Sequence, residues 1–153
     1  MDMHKEVTKN KMIWVGSDHA GYSMKTLLLE YMKSLECEFI DCGCYDNHSV
    51  DYPDYAKKVA TEVIGSKNSI GILLCGSGIG VSITANRLKG IRAALCWNAE
   101  IAKLSRQHND ANIVCLPARF INAEEMQKIV NTFLNTDFEG GRHMNRIRKI
   151  ENE

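Results

Sequence analysis

The chain has 153 residues, 44% of them hydrophobic, and its 19 Lys and Arg residues balance its 19 Asp and Glu residues. A chain of this length can bury a core of its own within one domain. The even charge balance provides no overall field for nucleic acid or an anionic membrane, so neither partner is expected and any anion must be recognised locally.

The first segment, residues 1–11, is polar (MDMHKEVTKNK) and lacks the apolar core of a signal peptide. No later apolar run approaches the roughly 20 residues that span a membrane. We therefore expect a polar leader over 1–11 and a single domain over 12–153, which ends in a basic helical segment, in the cytoplasm. The six cysteines are then reduced thiols. One residue separates Cys42 from Cys44, and no second Cys/His pair lies at finger-like spacing, which favours loop or strand-end thiols over a structural zinc site.

After the leader, short apolar runs alternate with segments whose apolar residues recur at helical spacing. The runs predict five strands, at residues 12–18, 37–43, 69–76, 91–97 and 111–119. The periodic segments predict five helices, at residues 21–36, 55–65, 78–90, 98–110 and 121–136. Pro53 lies near the start of the second helix, Gly65 suits its end, and Asn122 is the expected N-cap of the fifth. The uninterrupted apolarity of the fourth strand predicts burial on both of its faces.

A strand–helix unit repeated five times predicts an α/β fold, a doubly wound five-stranded parallel sheet with helices on both faces in a Rossmann-like three-layer sandwich. Such sheets bind ligands outside the carboxyl ends of their strands. Asp18 and His19 follow the first strand, Cys75 ends the third, and Arg119 ends the fifth. The alternative that Asp18 and His19 only cap the following helix stays open.

A glycine-rich turn, Gly76-Ser-Gly-Ile-Gly80, connects the third strand to the third helix. Such glycines let several backbone N–H groups converge on an anion, although they also serve as an ordinary tight turn. The turn lacks the Lys of an ATP-binding phosphate loop, the third glycine of a dinucleotide site and the Arg of a cysteine phosphatase. With no cation of its own, it suits a developing oxyanion or enediolate better than a phosphate dianion.

Cys75 precedes this turn at the N-terminus of the third helix, where the helix dipole is expected to lower the thiol pKa and allow the thiolate to act as a base. The alternative is a buried cysteine that only fills space. His108 and Asn109 close the fourth helix, where His108 has either a chemical role or only an interaction with the helix terminus. In the basic tail, Arg142 and Arg146 are one helical turn apart, a spacing that suits either phosphate recognition or a solvated basic face.

Six blocks in chain order, GSDHAG, DYP, ILLCGSGIG, GIRAAL, SRQHNDAN and EGGRH, closely resemble the type B ribose-5-phosphate isomerases and their relatives acting on hexose 6-phosphates. The resemblance covers about residues 12–150. It implies an aldose–ketose isomerase of a small sugar phosphate that needs no metal or other cofactor, and a homodimer whose active sites are shared between subunits. The sequence leaves open whether two dimers associate into a dimer of dimers. The leader and the thiols of DCGC lie outside the family pattern, and Ser77 stands where many relatives have Thr.

The same resemblance implies a role for each matched residue. Cys75 moves the proton between C1 and C2 of the open-chain sugar, His108 opens the furanose ring, and Ser77 acts near the substrate oxygens as the third catalytic residue. The enediolate is held by the backbone amides of Gly76, Ser77, Gly78, Ile79 and Gly80. The remaining matched residues contact the sugar or its phosphate: Asp18, His19, Asn109, Arg119, Arg142 and Arg146.

Three hypotheses follow for the function. The leading one is interconversion of ribose 5-phosphate and ribulose 5-phosphate, and the second keeps this chemistry on a hexose 6-phosphate of the allose or galactose type. The third is a non-catalytic sensor of a phosphorylated metabolite, which needs neither Cys75 nor His108.

Overall fold

The computed structural model describes residues 10–153, so the predicted leader over 1–11 lies almost wholly outside the described residues. Within this range five strands alternate with helices, and a sixth helix closes the chain. The strands are β1 (Met12–Ser17), β2 (Phe39–Asp41), β3 (Ser69–Cys75), β4 (Ala93–Leu95) and β5 (Ile113–Pro117). The helices are α1 (Tyr22–Ser34), α2 (Tyr52–Gly65), α3 (Ile79–Ala85), α4 (Ala99–Asn109), α5 (Ala123–Leu134) and α6 (Arg142–Ile150).

The five strands form one parallel sheet in the order β2-β1-β3-β5-β4. The chain moves outward from β1 to β2 and then returns to build β3, β5 and β4 on the other side of β1. The predicted doubly wound sheet is confirmed. In such a sheet the direction of winding reverses between β1 and β3, and the crevice beside their carboxyl ends is where ligands bind.

Helices cover both faces of the sheet because alternate strand residues point to opposite sides. In β3, Ile72 and Leu74 pack under α1, α4 and α5, whereas Leu73 and Cys75 face α2 and α3. All four side chains are buried. This two-sided burial explains why β3 reads as a continuous apolar run.

Local signals set several helix boundaries as predicted. Asn122 is the N-cap of α5, and its side chain accepts a hydrogen bond from the Glu125 N–H at 2.8 Å. Pro53 lies in the first turn of α2, where a missing N–H is harmless, and that helix ends at Gly65. The basic tail forms α6 after Gly141. No helix of the described residues is long and apolar enough to cross a membrane.

Two predictions near β4 are wrong. The strand is not buried on both faces, because it forms an edge of the sheet and its three residues are only half-buried. The third helix does not continue to residue 90 but ends at Ala85. Asn86 is the C-cap of this helix, and its side-chain amide bonds both the Ala93 N–H and the Ala93 carbonyl, at 2.8 and 2.9 Å. On the unpaired edge of β4, this side chain bonds the backbone groups of Ala93 that a sixth strand would otherwise bond.

Candidate active site

A cleft of about 510 Å³ opens at the carboxyl ends of β1, β3 and β5. Asp18 and His19 reach it from β1, Cys75 from β3 and Arg119 from beyond β5. The structure therefore brings together the polar residues that follow three different strands. The loop residues that line the cleft are Gly76, Ser77, Ile79 and Gly80.

The loop between β3 and α3 requires glycine at its centre. Gly78 has φ of 75°, in the left-handed region, and caps α3. A Cβ atom at this position would lie 2.5 Å from Leu95 Cδ1 and 3.1 Å from the Leu116 carbonyl carbon. The loop thus packs directly against the ends of β4 and β5, which holds its backbone N–H groups in place.

Cys75 lies at the base of the cleft. The residue is 4% exposed, and its Sγ accepts a hydrogen bond from the Gly78 N–H at 3.1 Å. A backbone N–H directed at sulfur stabilises a thiolate. All six cysteines are free. Burial raises the pKa of Cys96 to about 11 and raises that of Cys115 far above its ordinary value, so those two thiols stay protonated near neutral pH.

Asp18 and His19 are held by hydrogen bonds to the backbone. Asp18 is 6% exposed, and its Oδ1 accepts from the Gly21 N–H at 3.0 Å, which ties it to the turn before α1. The Nδ1 of His19 accepts from the Val50 N–H at 3.2 Å. A neutral His19 that accepts at Nδ1 carries its proton on Nε2, so this atom is a hydrogen-bond donor. Asp18 therefore makes a capping-type contact and also lines the cleft.

Arg119 supplies a positive charge beside the glycine loop. A Cβ atom at position 76 would lie 3.2 Å from Arg119 Nη1, so the guanidinium group rests against Gly76. The two segments are also joined by the Arg119 N–H, which donates to the Gly76 carbonyl at 3.0 Å. The loop contains no cation of its own, but Arg119, which follows β5, places one against it. Because Gly76 and Arg119 are far apart in the sequence and meet only where β3 and β5 lie side by side, no local sequence pattern predicts this contact.

His108 and Asn109 lie beside the amino ends of the strands, opposite the cleft. They end α4 immediately before β5 begins, whereas Cys75 and Arg119 lie at the carboxyl edge. The five residues of β5 separate the amino ends of the strands from their carboxyl ends by about 15 Å.

The α6 arginines are also remote from the cleft in the described chain. Arg142 and Arg146 are exposed on α6, which packs against α4. Neither these arginines nor His108 and Asn109 belong to the part of the described chain that lines the cleft. A single chain therefore carries two separate groups of the predicted site residues.

Comparison with known proteins identifies the family. The family model described as Ribose/Galactose Isomerase matches residues 13–150. The chain belongs to the ribose/galactose isomerase family. The family predicted from the sequence, and with it the predicted class of enzyme, is thereby confirmed.

Relatives of this isomerase agree in sequence and in fold. The ribose-5-phosphate isomerase B of Escherichia coli is 41% identical over 140 residues, covering 92% of this chain and 94% of that protein. The crystal structure of a ribose 5-phosphate isomerase from Thermotoga maritima is similar with a TM-score of 0.91 at 51% identity, covering 93% and 98% of the two chains. Ribose-5-phosphate isomerase B from Mycoplasma genitalium, solved with bound ribulose-5-phosphate, is similar with a TM-score of 0.89 at 42% identity, covering 94% and 95%.

One group of side chains in the isomerase has the composition of a metal site. Ligand atoms of His108, Glu139 and His143 lie within 4.8 Å of one another. However, the two imidazole rings are stacked, with centroids 4.4 Å apart and planes inclined by only 15°. The nitrogen lone pairs of stacked rings run side by side rather than converging on a point, so this geometry is unsuited to a shared metal ion.

Sequence reasoning missed the aromatic wall of the cleft. Tyr52 lines it, and a Cβ atom at Gly80 would lie 2.5 Å from Tyr52 Cζ, so the ring lies over the glycine loop. Phe120 lines the cleft next to Arg119 and is 76% exposed. The DYP block contains Tyr52, but nothing local to that block indicates that the ring reaches a loop about 25 residues later in the chain.

Proposed function

We propose that this isomerase interconverts ribose 5-phosphate and ribulose 5-phosphate through an enediolate, with Cys75 as the base that moves the proton. The observation that carries the proposal is the position of the Cys75 sulfur, which lies at the base of an open cleft, accepts a hydrogen bond from the Gly78 N–H and shares the cleft with the Arg119 guanidinium, itself against Gly76. The relative from Mycoplasma genitalium, which binds ribulose-5-phosphate, supports the choice of a five-carbon substrate. Allose and galactose 6-phosphates are the competing substrates.

The chemistry needs one base that can reach both C1 and C2 of the open-chain sugar. The Cys75 thiolate removes the proton from C2 of the open-chain aldose, the electron pair forms the C1–C2 double bond, and O1 takes up the negative charge. The thiol then returns the proton to C1 as the proton of the C2 hydroxyl moves to O1, which yields the ketose. The Gly78 N–H stabilises the sulfur while it is anionic, and Arg119 stabilises the charge on the substrate oxygens.

The glycine loop has fewer free amides than the sequence suggests. The Gly78 N–H is bonded to Cys75, and the Ile79 N–H donates to Ser77 Oγ at 3.2 Å. Gly80 lies in the first turn of α3, where N–H groups have no carbonyl partner within the helix. We therefore assign the enediolate contacts to the amides of Gly76, Ser77 and Gly80, with the Ser77 hydroxyl beside them.

We further propose that the site is completed by a second subunit of a homodimer. His108 would open the furanose ring, and Asn109, Arg142 and Arg146 would bind the sugar and its phosphate. In a single chain, however, these residues lie at the amino ends of the strands, whereas Cys75 lies at the carboxyl ends. The rim of the cleft also carries exposed apolar side chains suited to an interface, namely Ile79, Ile83 and Phe120, which are 51%, 61% and 76% exposed. Six free thiols suit the reducing cytoplasm, which we propose as the location.

The test of the chemistry is Cys75→Ala. Removal of a general base typically lowers the rate about 10²–10⁴-fold, so kcat for ribose 5-phosphate should fall by this factor while binding of the sugar phosphate stays nearly unchanged. In D₂O the variant should also stop incorporating deuterium at C1 of ribulose 5-phosphate. Cys42→Ala is the matched control, because Cys42 lines a different groove and should retain full activity. Turnover of Cys75→Ala at the wild-type rate would disprove the mechanism.

The same assay decides the substrate. The wild-type enzyme should turn over ribose 5-phosphate with a higher kcat/KM than allose 6-phosphate or galactose 6-phosphate. A preference for either hexose phosphate would replace the proposed substrate while leaving the chemistry intact. Binding of all three without turnover would establish the sensor instead.

Shared active sites are tested by mixing two inactive variants. A heterodimer of Cys75→Ala and His108→Ala chains contains one site with both wild-type residues and one with neither. Random exchange of equal amounts should restore about a quarter of wild-type activity, since half of the dimers are then mixed. If both residues act within one chain, no activity returns.

A further inference from the structure

The far end of α6 is tied to the chain by one carboxylate. Glu151, the residue after α6, accepts a hydrogen bond from Arg92 Nη1 at its Oε1, at 2.9 Å, and one from the Gly90 N–H at its Oε2, at 3.2 Å. The Arg92 and Glu151 side chains are only 17% and 12% exposed. Because this ion pair is shielded from water and both carboxylate oxygens are bonded, it holds Glu151 in one position more firmly than an exposed ion pair would.

The same guanidinium group holds the turn that follows His108. Arg92 Nε donates to the Asn109 carbonyl at 2.9 Å, and Arg92 Nη2 donates to the Asp110 carbonyl at 2.9 Å. Asp110 adopts the left-handed conformation of a helix C-cap, with φ of 45°, and Arg92 bonds the carbonyl of this residue and of the one before it. The Asp110 carbonyl also accepts from Arg92 Nε at 3.2 Å, so two of the three hydrogen-bond acceptors of the Arg92 side chain belong to the turn.

The near end of α6 is held to the same turn by stacked rings. His143, in the first turn of α6, is 5% exposed and stacks on His108 with ring centroids 4.4 Å apart. The helix is therefore fixed at both ends relative to His108, by this stack and by the Arg92–Glu151 bond. A helix held at both ends resists sliding and rotation, so the backbone positions from which Arg142 and Arg146 extend are set relative to His108.

We propose that Arg92 and Glu151 are positioning residues for the isomerase reaction. They lock α6, which carries the phosphate-binding arginines, to the turn directly after the ring-opening His108. A sugar phosphate spans both groups at once, so its phosphate and its ring oxygen must meet protein groups at a set separation. Neither residue touches the substrate; each acts through the placement of others. The proposal rests on the proposed function.

The test compares two mild variants with matched controls. Arg92→Lys keeps the charge but replaces three directed donors with one ammonium group, and Glu151→Gln keeps the shape but loses the charge. Because displacement of a reacting group by about 1 Å costs up to about 100-fold, each variant should lower kcat/KM for ribose 5-phosphate by about 10- to 100-fold. The controls Arg87→Lys and Glu153→Gln change exposed residues near the same two positions and should behave as wild type.

Competitive inhibition by inorganic phosphate separates positioning from a general structural role. Free phosphate has no second group to bring into register, so its Ki should match the wild-type value in both variants. A Ki that rises in parallel with the loss of kcat/KM would overturn the proposal, because it would show that α6 itself is damaged.

A double variant provides the decisive coupling. Arg92→Lys and Glu151→Gln break the same link, so together they should lower kcat/KM no further than the more damaging single variant. Losses that multiply, or wild-type kcat/KM in either single variant, would overturn the proposal. The proposed function fails separately: it falls if Cys75→Ala keeps its turnover, whereas an inactive Cys75→Ala with a fully active Glu151→Gln refutes the positioning role alone.

Discussion

Replacement of Gly78 by alanine tests how tightly the glycine loop is built into the sheet. Alanine in the left-handed conformation costs about 1 kcal/mol. Its Cβ would also lie 2.5 Å from Leu95 Cδ1 and 3.1 Å from the Leu116 carbonyl carbon. The Leu95 side chain can turn away at the sheet edge, but the backbone of β5 cannot, and overpacking of this kind adds about 2 kcal/mol. Gly78→Ala should therefore lower the free energy of unfolding by about 3 kcal/mol.

Gly140→Ala isolates the backbone contribution to this cost. Gly140 has a similar φ of 68°, and no atom lies within 4 Å of its Cβ position, so only the conformational cost of about 1 kcal/mol applies. At about 3 °C per kcal/mol for a chain of this size, the thermal midpoint should fall by about 9 °C for Gly78→Ala and about 3 °C for Gly140→Ala, at equal protein concentration.

Activity provides the second measurement on Gly78→Ala. A shifted loop withdraws the Gly78 N–H from the Cys75 sulfur, and loss of a hydrogen bond to a charged group, about 1.5–3 kcal/mol, should lower kcat about 10- to 100-fold. Equal melting temperatures for the two alanine variants, together with wild-type kcat for Gly78→Ala, would refute the packing argument.

Two further predictions concern buried charge. Lys25 is 1% exposed and donates to Asp41 and to the Cys44 carbonyl, so Asp41→Asn, which leaves the buried ammonium without its counter-ion, should lower the free energy of unfolding in urea by about 3 kcal/mol, and Lys25→Met, which leaves only the partly exposed carboxylate unpaired, by less. Equal losses would contradict this. Burial and, secondarily, the charge of His108 lower the pKa of His143, so the unfolded chain binds its proton more readily. Stability should therefore fall as the pH drops from about 6.5 through the lowered pKa. His143→Gln should flatten this dependence, and an unchanged slope would assign it to another group.

The fold was largely readable because its signals are local. Alternating apolar runs and helical spacings predicted every strand and five of the helices, and caps such as Asn122 fall where expected. The misreading of β4 shows the limit. An apolar strand of this length looks the same at the centre of a sheet and at its edge, and only the strand order, in which β4 pairs with β5 alone, distinguishes the two.

Part of the candidate site was readable for the same reason. The rule that ligands bind at the carboxyl ends of parallel strands placed Asp18, Cys75 and Arg119 at one edge without knowledge of the strand order. The contact of Arg119 with Gly76 and the position of Tyr52 over Gly80 depend on which strands become neighbours, so neither was predicted.

The sequence by itself determined the kinds of element, their order, and the chemistry available at each strand end, because periodicity and turn residues act over a few positions along the chain. Only the tertiary structure decided which of these groups meet. It placed the Arg119 guanidinium against the glycine loop and left His108 and the α6 arginines at the amino ends of the strands. It also joined the end of α4 to the end of α6, through the bonds of Arg92 to Asn109 and Glu151. Contacts between residues distant in sequence follow from the packing of the whole chain, which no short stretch of sequence records.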